Sequence, residues 1–338
     1  MENQKLGKQT FIPAAPPTII GHGSAAGNKE SSGPLGRHFD HTCKDDRFGE
    51  DSWEKAESAM QQLALDAALK RAGLHTTDLD FLLAGDLLNQ CIGSSFAARS
   101  AAVPYLGLYG ACSTMGESLA LAALLLGGGW GTYAAAVTSS HFCSAERQYR
   151  TPLEYGSQRP PTAQWTATAA GAVILTNVSH KGPKVGCVTI GKIVDKGIKD
   201  ANNMGAAMAP SAYDTLKTHF EDTGRSPDYY DLIVTGDLGQ LGWEIVSDFF
   251  SQDGNPLSNY NDCGLLLFDT KRQDMHSGAS GCGCSAAVLN GHLIPGLLAG
   301  RWRRVLFCPT GALLSPTSTM QGESIPGVCH AIELVGKG

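Results

Sequence analysis

Three landmarks recur along this chain at one fixed spacing. Cys112, Trp130 and Thr138 in the first half are answered by Cys284, Trp302 and Thr310, each 172 residues later. A fourth pair, Asp86 and Asp237, stands 151 residues apart, which implies a longer connection in the second half at about 251–280. In both copies a strand-like apolar run (Phe81-Leu-Leu-Ala-Gly and Leu232-Ile-Val-Thr-Gly) leads into the aspartate. In both, a Gly- and Cys-bearing turn later leads into a helix-like run. Such a chain is constrained to two similar α/β halves about a pseudo-twofold axis, divided as 1–182 and 183–338.

Local signals fill in the elements. Asp51 and Ser52 can cap a helix over 53–72 that Gly73 closes. Its apolar positions Ala56, Met60, Leu63 and Ala67 share one helical face. Strands are expected at 8–13, 79–84, 105–109, 133–138, 169–176, 185–194, 230–235, 263–268 and 305–309. Helices are expected at 94–101, from about 113, and at 212–222, 242–251 and 284–298. Residues 21–51 read as a long polar loop, a partner contact or a lid, because loops of that length are usually functional.

Charged residues make up 17% of the chain, against about 25% in ordinary globular proteins. With 41 glycines, this suggests closely packed helix–sheet layers. A net charge of −6 and the lack of a basic run exclude general attraction to nucleic acid or anionic lipid. The opening Met1-Glu-Asn-Gln-Lys leads to no apolar segment, so no signal peptide is expected. The longest apolar run, 119–126, is far short of the ~18 residues a membrane span needs. The ten cysteines are therefore expected to be reduced, and mostly buried.

Cys112 lies in Gly110-Ala-Cys-Ser-Thr, between a strand and a helix start, where N–H groups and the helix dipole favour a thiolate or a bound anion. A free cysteine is commonly a buried structural residue; the repeat favours a site position. Asp86, at a β–α junction, reads equally as a ligand contact or a cap, and Asp237 reads as the cap. His141, after Thr138-Ser-Ser, is a ligand, a base or a partnered structural histidine. Arg147 and Arg150 would suit a carboxylate ligand or a solvated loop. Cys282 and Cys284 resemble half a metal site, but His276 and His292 are isolated, so no metal is expected. Gly127 to Gly129 lack the Lys-Ser/Thr of a phosphate loop.

Across roughly 5–335 the chain resembles the stage V sporulation protein AD family of spore-forming bacteria, within the thiolase-like superfamily. The first half carries this in Ala84-Gly-Asp-Leu-Leu-Asn-Gln, Gly110-Ala-Cys-Ser-Thr, Thr138-Ser-Ser-His, Ala145-Glu-Arg-Gln and Pro152-Leu-Glu-Tyr-Gly. The second carries it in Met204-Gly-Ala-Ala-Met-Ala-Pro, Thr235-Gly-Asp-Leu, Asn261-Asp-Cys-Gly, Ser280-Gly-Cys-Gly-Cys-Ser-Ala and Thr310-Gly-Ala-Leu-Leu-Ser-Pro. The resemblance implies a layered αβαβα thiolase-like sandwich. It also implies a non-enzymatic role: binding dipicolinic acid (pyridine-2,6-dicarboxylate), free or as its calcium chelate, for uptake into the developing spore. The partners so implied are the SpoVA channel proteins of the spore inner membrane, which the protein would meet peripherally, and a second copy in a homodimer. The family pocket includes an Asp and a Cys, matched by Asp86 and Cys112. The expected ligand-binding set is Asp86, Asn89, Cys112, Ser113 and His141, with no catalytic residue and no cofactor. Ketoacyl synthases of the third type pair the Cys with a His, where this chain reads Gly236-Asp237-Leu238-Gly239. Their Asn falls where it reads Ser280-Gly-Cys-Gly-Cys-Ser. Residual acyl transfer by Cys112 is the alternative.

Overall fold

The computed structural model describes residues 3–149 and 159–336. Its strands obey the repeat. In the first half the five strands of the main sheet path, in chain order, are Thr18–Ala26, Phe81–Gly85, Tyr105–Leu108, Tyr133–Ser140 and Ala169–Thr176. Numbered one to five, they lie side by side in the order 3-2-4-5-1. In the second half Lys184–Ile190, Leu232–Thr235, Tyr260–Asp262, Arg304–Cys308 and Gly327–Val335 lie in the same order. The two arrays meet through their first strands at Thr18 with Lys184, and the short strand Thr10–Ile12 of the first half also pairs with Lys184–Ile190. Within each array strands two, three and four run parallel, and the fifth runs antiparallel to the fourth.

Three apolar clusters set the layers. Helix Trp53–Ala72 packs Met60, Ala64 and Ala68 on the outer face of the first array, against Leu82, Ala135 and Ile174. Helices Met204–Thr223 and Gly239–Gln252 cover the outer face of the second, through Met208, Leu216, Val246 and Phe250. Between the arrays, helices Thr114–Gly127 and Cys282–Val288 bury Met115, Leu119, Ala287 and Val288 with strand residues of both halves. The result is helix, sheet, helix, sheet, helix, the expected αβαβα sandwich.

Local chemistry fixes the ends. The Ser52 hydroxyl accepts Lys55 N at 3.4 Å, and Gly73 closes the same helix in the left-handed region at φ 69°. The structure departs from the sequence reading in several places. Residues 21–51 are no single loop: Thr18–Ala26 is a long, mostly buried strand paired along its length with Ala169–Thr176. Its Gly, Ser and Ala content reads as loop, but those small side chains let helix Trp53–Ala72 settle against the strand. The expected strand 263–268 is instead the short helix Cys263–Leu267, because Asp262 caps it by accepting Gly264 N at 2.9 Å. Helix Met204–Thr223 starts well before 212, carrying Pro210 inside it and capped by Asn203. The helix expected at 284–298 is divided by a π turn at Leu289–Leu293, just before Pro295. Gly327–Val335 is a buried strand absent from the sequence reading.

Candidate functional site

The chain leaves strand Tyr105–Leu108 and turns sharply before helix Thr114–Gly127. Two hydroxyls lock that turn. Ser113 Oγ donates to Gly110 O at 2.7 Å, while Thr114 Oγ1 donates to Ala111 O at 2.6 Å and accepts Gly110 N at 3.0 Å. Ala111 is held at φ 50°, a conformation that costs a side-chain-bearing residue about 1–2 kcal/mol. The turn presents Cys112 to a cleft of about 600 Å³, counted with its open mouth. Gly311 presses on the turn from the other half: a Cβ there would lie 2.3 Å from Gly110 O.

Both halves line this cleft. The first gives Leu87, Tyr109, Cys112, Ala145, Glu146, Tyr149 and Thr166; the second gives Ala201, Met204, Ser280, Ala312 and Leu314. The Tyr109 and Tyr149 hydroxyls bond each other at 2.8 Å, and Tyr149 also donates to Leu87 O. Burial pushes both phenols up, so they stay protonated. The cleft thus has two aromatic faces, an apolar far wall and a small polar set in Cys112, Thr166, Ser280 and Glu146.

Asp237 stands directly behind Cys112. It is fully buried. Its Oδ2 accepts Gly281 N at 2.9 Å and Ser280 Oγ at 3.3 Å, and its Oδ1 accepts Thr310 Oγ1 at 3.0 Å. Cys112 lies near enough for each group to influence the other's ionisation. Burial raises Asp237 to about 7. Burial first, and then the Asp237 charge, push the Cys112 thiol far above its ordinary value.

Asp86 does not line the cleft. It is wholly buried and accepts Leu88 N at 2.8 Å, Ser94 N at 2.7 Å and Ser94 Oγ at 2.6 Å. Its neighbour is a second buried carboxyl, Glu57, which accepts Ser139 Oγ at 2.9 Å and Ser144 Oγ at 2.8 Å. Burial, then the charge of Asp86, raise Glu57 to about 8. The pair therefore holds a proton on Glu57 at neutral pH, and burial raises Asp86 as well. It works from behind the wall. Asp86 pins the loop that delivers Leu87, and Glu57 holds the start of helix Phe142–Tyr149, which delivers Ala145, Glu146 and Tyr149.

The other expected site residues are placed as follows. Ser113 is buried in the turn with its hydroxyl occupied. Its N–H donates to Gly110 O at 3.1 Å. Asn89 is exposed beyond the lining, its backbone N–H donating to Gln148 Oε1 at 2.9 Å. His141 is buried away from the lining: Nε2 meets Asp46 O at 2.8 Å and Nδ1 accepts Cys143 N at 3.2 Å. Those contacts set its tautomer, and burial keeps it neutral. Arg147 pairs with Glu54, and Arg150 lies outside the described residues. Of the expected set, Cys112 alone faces the cleft. Sequence reasoning missed Tyr109, Tyr149, Thr166 and the role of Asp237. A signal existed: Leu87, Glu146, Met204, Ser280 and Leu314 all fall in the motifs that carried the resemblance. Among the described residues, no cluster of three His, Cys, Asp or Glu could hold a metal.

This fold, with a cysteine at the start of a central helix, is the thiolase-like fold of condensing enzymes. The 3-oxoacyl-(acyl carrier protein) synthase III, FabH, of Pseudomonas aeruginosa PAO1 matches 96% of this chain and 99% of its own, with a TM-score of 0.59 at 12% identity. Cerulenin-bound OleA of Xanthomonas campestris matches 98% of each chain, with a TM-score of 0.57 at 15% identity. Within that fold, the stage V sporulation protein AD family matches residues 7–335, and the chain belongs to it. Stage V sporulation protein AD of Bacillus subtilis (strain 168) is 45% identical over 327 residues, 96% of each chain. No helix among the described residues is long and apolar enough to cross a membrane.

Proposed function

We propose that this sporulation protein binds dipicolinic acid without transforming it, and hands it to membrane channel proteins for uptake into the developing spore. The observation that carries the reading is the cleft onto which Cys112 opens, walled by Tyr109, Tyr149, Met204 and Leu314. A condensing nucleophile needs a group that takes its proton; among the described residues the lining holds no histidine to do so, and burial pushes the Cys112 thiol far above its ordinary value. General-base help is worth about 10²–10⁴-fold, and its loss leaves a binding site. A flat aromatic diacid suits the cleft, its ring between the tyrosines and the Met204–Leu314 wall, its carboxylates toward Thr166, Ser280 and the Cys112 thiol. Calcium arriving as the chelate would balance the ligand's charge against a lining that, among the described residues, holds Glu146 and no lysine or arginine. Docking beside channel subunits would supply the membrane attachment that no described helix supplies.

Calorimetric titration of dipicolinate, with and without calcium, into wild type and Cys112→Ala tests this. Saturable binding that weakens in the variant is expected. Equal affinity in both proteins, or turnover of an acyl-coenzyme A with an adduct on Cys112, would refute it.

A further inference from the structure

Behind the cleft, Glu57 and Asp86 belong to one hydrogen-bonded network, and counting its hydrogens fixes its direction. Gln61, one turn beyond Glu57 on helix Trp53–Ala72, is buried with its Nε2 at 2.8 Å from both Ser94 Oγ and Ser139 Oγ. Its third contact, Gly85 O at 3.3 Å, only accepts, so the amide nitrogen must face this way. Each serine then gives its single hydrogen to a carboxyl: Ser94 to Asp86 Oδ2 at 2.6 Å and Ser139 to Glu57 Oε1 at 2.9 Å. Ser144 ends the chain. Its hydroxyl lies 2.8 Å from Glu57 Oε2 and 3.1 Å from His141 O, with one hydrogen for both. Both contacts are hydrogen bonds only when Glu57 carries a proton: Glu57 Oε2 then donates to Ser144 Oγ, and Ser144 donates to His141 O. That carbonyl opens helix Phe142–Tyr149, accepting Ala145 N at 3.0 Å. The donors agree. Asp86 accepts two backbone N–H groups and a hydroxyl, which suit a carboxylate, whereas Glu57 meets hydroxyls alone.

We propose that the Glu57 proton latches the cleft: through Gln61 and the three serines it ties the Asp86–Leu87 loop to helix Phe142–Tyr149, and ligand affinity is lost when the proton leaves. The proposal rests on reading the cleft as the binding site. Glu57 and Gln61 are positioning residues that stand behind the lining. Once the proton passes to solvent, Ser144 can donate to Glu57 or to His141 O but not to both. A carboxylate also forms beside Asp86 in a dry layer, where it is poorly screened. The two side chains converge on Gly93, where a Cβ would lie 3.2 Å from Asp86 Oδ2 and 3.3 Å from Glu57 Cγ. Repulsion there separates the loop from the helix, and with them the Leu87 wall from the Ala145 and Tyr149 wall. The other titratable groups around Glu57 are Glu54, on its own helix and paired with Arg147, and Cys282 of the second half, a thiol that burial keeps protonated.

The test is calorimetric titration of dipicolinate from pH 6 to 9.5 into wild type and Glu57→Gln. The glutamine amide donates to Ser144 as the protonated acid does, and it cannot ionise. Burial pushes Glu57 up to about 8. Wild-type affinity should therefore fall about tenfold between pH 7 and pH 9, the effect of one linked proton, and the variant should lose that fall. Asp237 and Glu30, also raised by burial, titrate in both proteins and cancel in the comparison. The same pH dependence in both proteins would overturn the proposal. So would a wild-type affinity that holds from pH 7 to pH 9, a measurement that stands even if the variant does not fold. Hydrogen exchange over residues 139–149, without ligand, separates the two readings. Protection that drops above pH 8 in wild type but not in Glu57→Gln, with no dipicolinate bound by either, supports the latch and defeats the ligand reading. Matched protection at every pH defeats the latch whatever the ligand does.

Discussion

Glu57 offers a clean quantitative test, because its burial makes stability depend on one proton. It is wholly buried beside Asp86, and its carboxyl is raised from 4.5 to about 8, by burial first and then by the Asp86 charge. A raised folded-state pKa means the folded protein holds a proton that the unfolded chain releases. Its stabilising effect is therefore complete below pH 4.5 and is lost as the pH rises through about 8. Between pH 5 and pH 8 the loss from this group amounts to about 3 kcal/mol, at 1.36 kcal/mol per unit. Glu57→Gln keeps the shape and the acceptor oxygen, and the Ser139 and Ser144 hydroxyls can turn to accept from the new amide. Glu30, also raised to about 8, and Asp237, raised to about 7, weaken both proteins alike. They cancel in the comparison. Urea unfolding at pH 5, 6, 7 and 8 should show the variant gaining on wild type by about 3 kcal/mol across the series, with m-values unchanged. Parallel stability curves for the two proteins would show that Glu57 is already ionised in the fold, and the account of the carboxyl pair would fail.

Two substitutions probe the cleft walls. Gly281→Ala forces a side chain into a left-handed position 2.6 Å from Ser140 Oγ and should cost about 1–3 kcal/mol; an unchanged melting temperature would remove Gly281 from the Asp237 cradle. Tyr149→Phe deletes the hydroxyl that ties helix Phe142–Tyr149 to Leu87 O and Tyr109, a loss of about 1 kcal/mol. Its dipicolinate affinity should fall with the loosened wall, and full affinity at reduced stability would place Tyr149 outside recognition.

The architecture was legible because it is written twice. Constant spacing between Cys112 and Cys284, and between Trp130 and Trp302, registers two copies of one sheet order. Strand Thr18–Ala26 was hidden because its composition is set by the helix pressing on it. The site was half legible. Cys112 stood out by its turn, but Asp86 and Asp237 look alike in sequence, each ending a buried strand. Their difference lies in what the following segments do. Ser94 folds back onto Asp86 and turns it toward Glu57. Asp237 instead collects its donors from Ser280, Gly281 and Thr310 within the second half. Tyr109 and Tyr149 converge from separate elements, and no spacing rule links them.

The shared walls have a consequence for descent. In a doubled fold each half has its own cysteine at a helix start, yet here the halves have divided the labour. The first copy contributes the sulfur that faces the cleft, and the second contributes the glycine pressed on its turn, Gly311, and the Met204, Ser280 and Leu314 walls. Its own Cys284 is shut in against Gly236 O. Neither copy can drift alone: a side chain at Gly311 would collide with Gly110 O in the turn that presents Cys112, more than a hundred residues away in sequence. Inheritance should therefore preserve the two segments as a matched set, and a chimaera joining first and second halves from distant relatives would inherit the scaffold and lose the match.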